Sequence, residues 1–231
     1  MIDGIDGSGK STIVSAWKKY LFDQNKNIFD LKNYLKENDC YPETLKLPDY
    51  DFVFSAEPTY TGIGKAIRDE LINSSAFYPP KAIAEAFSLD RLVLYTKAII
   101  PLLKNNQTII QDRGVSSSLA YQPLTHQEVT MDFVANLPGN QLALENRPDY
   151  LMLVDCDAQV AFDRLHSRTD KQDNAVFERI EFLEKLTNRY LDKSYQKLFT
   201  DKGTKILHLN GNEKIDIMNK QAISLLKTIL K

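Results

Sequence analysis

Residues Gly4-Ile5-Asp6-Gly7-Ser8-Gly9-Lys10-Ser11-Thr12 satisfy every fixed position of the pattern G-x-x-x-x-G-K-[ST]. That spacing suits a polyphosphate. Glycines let consecutive backbone N–H groups curl round anionic oxygens that a side chain would hold off. Lys10 can reach the β- and γ-phosphates, the Ser11 hydroxyl can ligate Mg²⁺, and a helix starting near Lys10 adds its positive N-terminal end. The alternative is a chance Gly-rich turn. The apolar stub before the loop and the helical pattern after it argue against that. The chain is therefore expected to bind a nucleoside triphosphate through Gly4 to Thr12.

A loop of this kind must sit between a buried parallel strand and a helix. Only Met1, Ile2 and Asp3 precede Gly4, against about five or six residues in an ordinary strand, so further chain upstream is expected. Apolar residues at helical spacing (Ile13, Ala16, Trp17, Tyr20, Leu21) predict a helix from Ser11 to about Phe22, with Trp17 packing and not binding a ligand. Short apolar runs predict strands at 27–31, 51–56, 108–111, 150–155 and 205–209. Helices are expected over 64–71, 81–103, 131–137, 158–166, 178–198 and 215–229, with Asp157 able to cap the fourth of these. Residues 32–50, charged and interrupted by Pro42 and Pro48, read as an irregular insertion.

Strands alternating with helices imply one α/β domain over 1–231, with a mainly parallel sheet covered on both faces. Ligands then collect beyond the strand carboxyl ends, where the loop, Glu57-Pro58, Asp112-Arg113 and Asp155 all fall. These groups are expected to line one crevice. A formal net charge of −2 leaves no broad basic field for a nucleic acid. Cys40 and Cys156 suit neither a disulfide framework nor a zinc site. No apolar run nears the roughly 18 residues that span a membrane. A cytoplasmic protein with small-molecule partners is expected. His126, His166 and His208 are spaced for neither metal nor triad chemistry.

Four strings narrow the chemistry: the loop itself, Glu57-Pro58-Thr59-Tyr60-Thr61-Gly62-Ile63-Gly64-Lys65-Ala66-Ile67-Arg68, Phe87-Ser88-Leu89-Asp90-Arg91, and Asp112-Arg113-Gly114-Val115-Ser116-Ser117-Ser118-Leu119-Ala120-Tyr121-Gln122. In order, spacing and content they resemble the thymidylate kinases, which transfer the γ-phosphoryl of ATP to dTMP. The likeness runs on through Arg147-Pro148-Asp149-Tyr150 to the last helix and omits roughly 32–50. It implies a three-layer P-loop kinase fold with a five-stranded, mainly parallel sheet, a mobile lid near 164–178, Mg²⁺ as cofactor and a homodimer. Asp6 matches a carboxylate that approaches the sugar hydroxyl and the reacting phosphates. Phe87 matches the aromatic stacked on thymine, and Arg91 the arginine on the base. Arg113 matches the arginine on the acceptor phosphate, Ser118 a reader of the base edge, and Tyr121 a tyrosine against the deoxyribose. Glu57, Pro58 and Gln122 complete the implied substrate contacts. With glycine at Gly7, the catalytic arginine is implied to come from the lid, Arg168 first and Arg164 second.

The chain also departs from that pattern. Ala56 stands where bacterial members have an arginine, so one acceptor-phosphate contact is absent or is supplied by Arg68 or Tyr60. Gly114 replaces an aromatic or histidine, and Val176 stands where an acid is common, though Asp173 is kept. Asp112 can orient the metal's water shell, or pair with Arg113 or Arg91. Three alternatives compete: a related kinase for another deoxynucleotide or nucleoside, a nucleotide binder without catalysis, and a GTP switch. The last needs an Asn-Lys-x-Asp reader, to which Asp170-Lys171-Gln172-Asp173 is only a near match.

Overall fold

Tyr150-Leu151-Met152-Leu153-Val154-Asp155 carries apolar side chains on both faces, as a strand covered by helices must. It is one of six strands, one more than the five expected, in a mainly parallel sheet with helices around it. The computed structural model describes residues 1–43, 49–72, 77–167 and 179–230. The chain divides into two compact units: Met1–Lys26 with Pro148–Lys231, and Asn27–Arg147. Among the described residues no helix is long and apolar enough to cross a membrane.

In the first unit, β5 (Tyr150–Asp155) lies between β1 (Ile2–Gly4) and β6 (Lys205–Asn210), all parallel, with Gly4 opposite Val154 and Val154 opposite Leu209. The helices are α1 (Lys10–Asp23), α9 (Ala158–His166), α10 (Ile180–Leu191), α11 (Lys193–Thr200) and α12 (Ile215–Ile229). Helix α1 buries Ile13, Val14, Trp17 and Leu21. Trp17 is a packing residue: its indole N–H donates to the Ala222 carbonyl of α12 at 2.9 Å. The helix expected over 178–198 is two helices. Extended backbone at Asp192 ends α10, and its carboxylate accepts from Ser194 N and Oγ, both at 2.8 Å, to start α11. Asp157 occupies the N-cap position of α9 but makes no side-chain capping bond. Its backbone N–H instead donates to Asn212 Oδ1 at 2.8 Å.

In the second unit, β3 (Phe52–Ala56) lies between β2 (Ile28–Asp30) and β4 (Thr108–Asp112), again all parallel. The segment expected to be irregular opens with a helix, α2 (Leu31–Asn38). The Asp30 side chain caps it through Asn33 N, and Leu31 and Leu35 are buried. Helix α3 (Gly62–Ala66) continues into a π-helical turn, Ile67–Leu71. The expected long helix is α4 (Pro80–Leu94), a π-helical turn (Tyr95–Ile99) and α5 (Ile100–Lys104). Then come α6 (Val115–Thr125), α7 (Met131–Ala135) and α8 (Pro138–Glu145). The sequence pattern does not announce α6 or α8, because serines, Pro123 and Pro138-Gly139 are weak helix signals. Gly139 is needed for packing. A Cβ there would stand 1.8 Å from the Ser88 carbonyl oxygen of α4.

Candidate functional site

The phosphate loop turns from β1 into α1 within the first unit. Gly7 has φ of 79°, in the left-handed region, and a Cβ on it would meet the Ala161 carbonyl oxygen of α9 at 2.3 Å. Neither the backbone conformation nor the space admits another residue there. Lys10 is buried, its ammonium donating to the carbonyls of Gly4 (3.0 Å) and Ile5 (2.6 Å) and lying 3.4 Å from Ser8 Oγ. The lysine is folded onto the loop that a polyphosphate would fill. Asp6 is half-buried, and Ser11 is exposed on the first turn of α1. Beneath the loop, Asp3 is fully buried and accepts from Gly4 N at 2.8 Å and Tyr190 Oη at 2.9 Å.

Arg164, the second choice for a catalytic arginine, is engaged elsewhere in this unit. Its guanidinium donates to the Gly211 carbonyl at 2.6 Å and the Glu213 carbonyl at 3.1 Å, and approaches Cys156 Sγ at 3.8 Å. It ties α9 to the loop after β6. Burial raises the Cys156 thiol above its ordinary value, so this cysteine stays protonated.

In the second unit, Glu57, Arg91, Ser118 and Gln122 come together out of solvent. Glu57 follows β3 and precedes a cis peptide bond to Pro58. Its carboxylate pairs with Arg91 at 2.5 Å and accepts from Gln111 Nε2 at 2.6 Å. Burial pushes the Glu57 carboxyl up to about 7, although Arg91 and Gln111 pull it down. Arg91, 1 % exposed, also donates to Asn140 Oδ1 and, at 3.0 Å, to Ser118 Oγ. Gln122 Nε2 lies 3.3 Å from the same hydroxyl. Phe87, one turn before Arg91 on α4, is half-buried.

Next to this cluster runs the loop Pro58-Thr59-Tyr60. Asp90, buried on α4, fixes it by accepting from Thr59 N at 2.7 Å and Thr59 Oγ1 at 2.6 Å. Burial raises the Asp90 carboxyl above its ordinary value. Arg68 donates through Nε to the carbonyls of Pro58 (3.0 Å) and Thr59 (3.1 Å), and its guanidinium carbon lies 3.9 Å from the Tyr60 ring centre. Arg113, half-buried, adopts φ of 64°, a conformation uncommon for a residue with a side chain. From there it donates to Ser117 Oγ at 3.2 Å and Tyr121 Oη at 3.3 Å. Asp112 ends β4 and lies within electrostatic range of Arg68. Ala56 is buried.

Sequence reasoning gave no role to Asp90, Gln111 or Asn140. For Gln111 the signal was present: a glutamine ending the apolar run Thr108-Ile109-Ile110 needs a buried partner. Asn140 lies 49 residues from Arg91 in a segment without helical pattern, so no local signal links them. Arg168 and the stretch Asp170-Lys171-Gln172-Asp173 fall outside the described residues. No group of three or more His, Cys, Asp or Glu side chains able to hold a metal occurs among the described residues.

Comparison with known proteins points one way. A family model described as Thymidylate kinase matches residues 42–222. A thymidylate kinase of Mycoplasma genitalium is 28% identical over 221 residues, covering 95% of this chain and 90% of that protein. A probable thymidylate kinase of Methanococcus aeolicus is 28% identical over 223 residues, covering 96% and 92%. A thymidylate kinase of Kosmotoga olearia is 26% identical over 222 residues, covering 96% and 91%.

Proposed function

The chain belongs to the thymidylate kinase family, and we propose that it transfers the γ-phosphoryl group of ATP to dTMP, giving dTDP and ADP. The observation that carries this reading is a complete phosphate loop in the same chain as a buried polar cluster of Arg91, Ser118 and Gln122. Gly4 to Thr12 hold the ATP phosphates. Lys10 leaves the Gly4 and Ile5 carbonyls and turns its ammonium to the β- and γ-phosphates. Arg113 and Arg68 meet the acceptor phosphate, where planar guanidinium forks suit a dianion. Phe87 stacks on the base, Arg91 and Ser118 read its edge, and Tyr121 crowds the 2′ position against ribonucleotides.

An oxygen of the acceptor phosphate attacks the γ-phosphorus as the bond to the β-phosphate oxygen breaks, and ADP leaves with that electron pair. The acceptor is already anionic, so no strong general base is required. Positioning and charge neutralisation do the work. Arg168 supplies the lid's share of that charge. Arg164 acts through the loop it holds, as a positioning residue.

The phosphate loop fits Mg²⁺: Ser11 offers a hard hydroxyl oxygen on an exposed first turn, and such an ion would otherwise be held largely by phosphate oxygens and water. When bound, the ion neutralises charge on the transferring phosphoryl group. The homodimer implied by the family likeness is retained, with exposed Leu89 on α4 as part of its apolar face.

Coupled ADP release with dTMP, dUMP, dGMP, dCMP and thymidine side by side tests this reading. dTMP should lead. dUMP should trail through loss of one methyl contact, roughly 1–3 kcal/mol. Lys10→Ala should abolish transfer and leave the fold intact. Preference for a purine nucleotide would overturn the acceptor assignment.

A further inference from the structure

The segment read as an irregular insertion, residues 32–50, supplies nearly all of the helix α2, which follows the edge strand β2 in the second unit. Lys32 is the second residue of α2, directly after the Asp30 cap. A cation in that first turn opposes the helix dipole and lowers helix stability. The buried residues of α2 are Leu31 and Leu35, and Lys32 is half-buried. A charge placed against its own helix suggests a use elsewhere.

That ammonium stands 5.6 Å from the centre of the Tyr60 ring, which also carries the Arg68 guanidinium at 3.9 Å. Arg68 in turn lies within electrostatic range of Arg113. Two cations thus share the Tyr60 ring, with a third in electrostatic range of one of them. Asp90 and Asp112 lie within electrostatic range of Arg68, and both Asp90 oxygens accept from Thr59. Tyr41, from the same added segment, brings its hydroxyl out of solvent beside Thr59, Asp90 and Glu57. The added segment therefore reaches the loop at two points, one supplying charge and the other contact. A phosphate placed beside this loop is attracted by each of these cations.

We propose that Lys32 is a substrate-binding residue whose ammonium meets the 5′-phosphate of the acceptor nucleotide, with Tyr60 as the platform that holds it near Arg68. This rests on the acceptor being a nucleoside monophosphate, as proposed above. Lysine suits the task as a compact point charge on a long, flexible stem. Helix α2 then makes good a positive charge that Ala56 does not provide.

Calorimetric titration of dTMP, thymidine and ATP into the full chain tests the proposal, using wild type, Lys32→Met and Lys32→Arg. Lys32→Met should bind dTMP about tenfold more weakly, the scale of one charged hydrogen bond. It should bind thymidine and ATP as wild type does. Lys32→Arg should restore most of the dTMP affinity, and the salt dependence of dTMP binding should be shallower in Lys32→Met. Unchanged dTMP affinity in Lys32→Met, or an equal loss for thymidine, would overturn the role of Lys32 and leave the acceptor assignment standing. A wild type that binds thymidine as tightly as dTMP, or binds neither, would overturn the acceptor reading itself.

Discussion

Glu57 sets burial against pairing. Its ordinary pKa of 4.5 rises to about 7 in the fold because burial outweighs Arg91 and Gln111. Between those values the native state holds a proton that the unfolded chain has lost, so stability falls as pH rises through that window. The slope is worth on the order of 3 kcal/mol in all. Glu57→Gln resembles the neutral acid. It should match wild type in urea melts near pH 5 and exceed it near pH 8. A wild type that stays more stable at pH 8 would show that the Arg91 pair dominates burial. The role proposed for Arg113 is on substrate instead. Arg113→Ala should raise the dTMP requirement by roughly 2–5 kcal/mol of lost binding and leave the ATP requirement nearly unchanged in initial-rate measurements. A loss of ATP affinity would assign Arg113 to the donor.

The contact between α4 and α8 decides whether Arg91 keeps its partners. Gly139 lets the Ser88 carbonyl come within 1.8 Å of where a Cβ would stand, and its N–H donates to Ser88 Oγ at 2.9 Å. Gly139→Val must push the helices apart, an overpacking cost of about 1–3 kcal/mol or more. It should lower the melting temperature and weaken dTMP binding, because Asn140 moves with the helix. A variant that melts and binds like wild type would show that this spacing is not required. The strands were legible in sequence because burial on both faces leaves unbroken apolar runs, as in Phe52–Ala56 and Tyr150–Asp155. Helices α2, α6 and α8 were not. Helix α2 has only Leu31 and Leu35 as buried anchors in a polar stretch, and the other two rest on tertiary contacts that override weak propensity. The phosphate loop was legible for a different reason: its parts are contiguous. Arg91, Glu57 and Asn140 meet only after folding, so spacing along the chain could not reveal their network.

The molecule comprises two compact units to which the proposed reaction assigns different ligands: the phosphate loop lies in one, the Arg91 and Arg113 clusters in the other. A ligand at a hundred times its dissociation constant stabilises what it binds by about 2.7 kcal/mol. In amide hydrogen exchange, ATP should therefore protect Met1–Lys26 and Pro148–Lys231 first, and dTMP should protect Asn27–Arg147 first. Protection of the second unit by ATP alone would reverse the assignment of ligands to units. The order of the segments has another consequence, in the making of the protein. The phosphate loop leaves the ribosome early, yet the residues that shape it come late: Val154 beside Gly4, Ala161 beside Gly7 and Met218 beside Gly9. Asn27–Arg147 is a continuous stretch and is complete well before them, so the acceptor unit can fold while the donor unit is still being synthesised. The donor unit is begun first and finished last. A nascent chain stopped before α12 carries the loop without the Met218 side chain that packs beside Gly9.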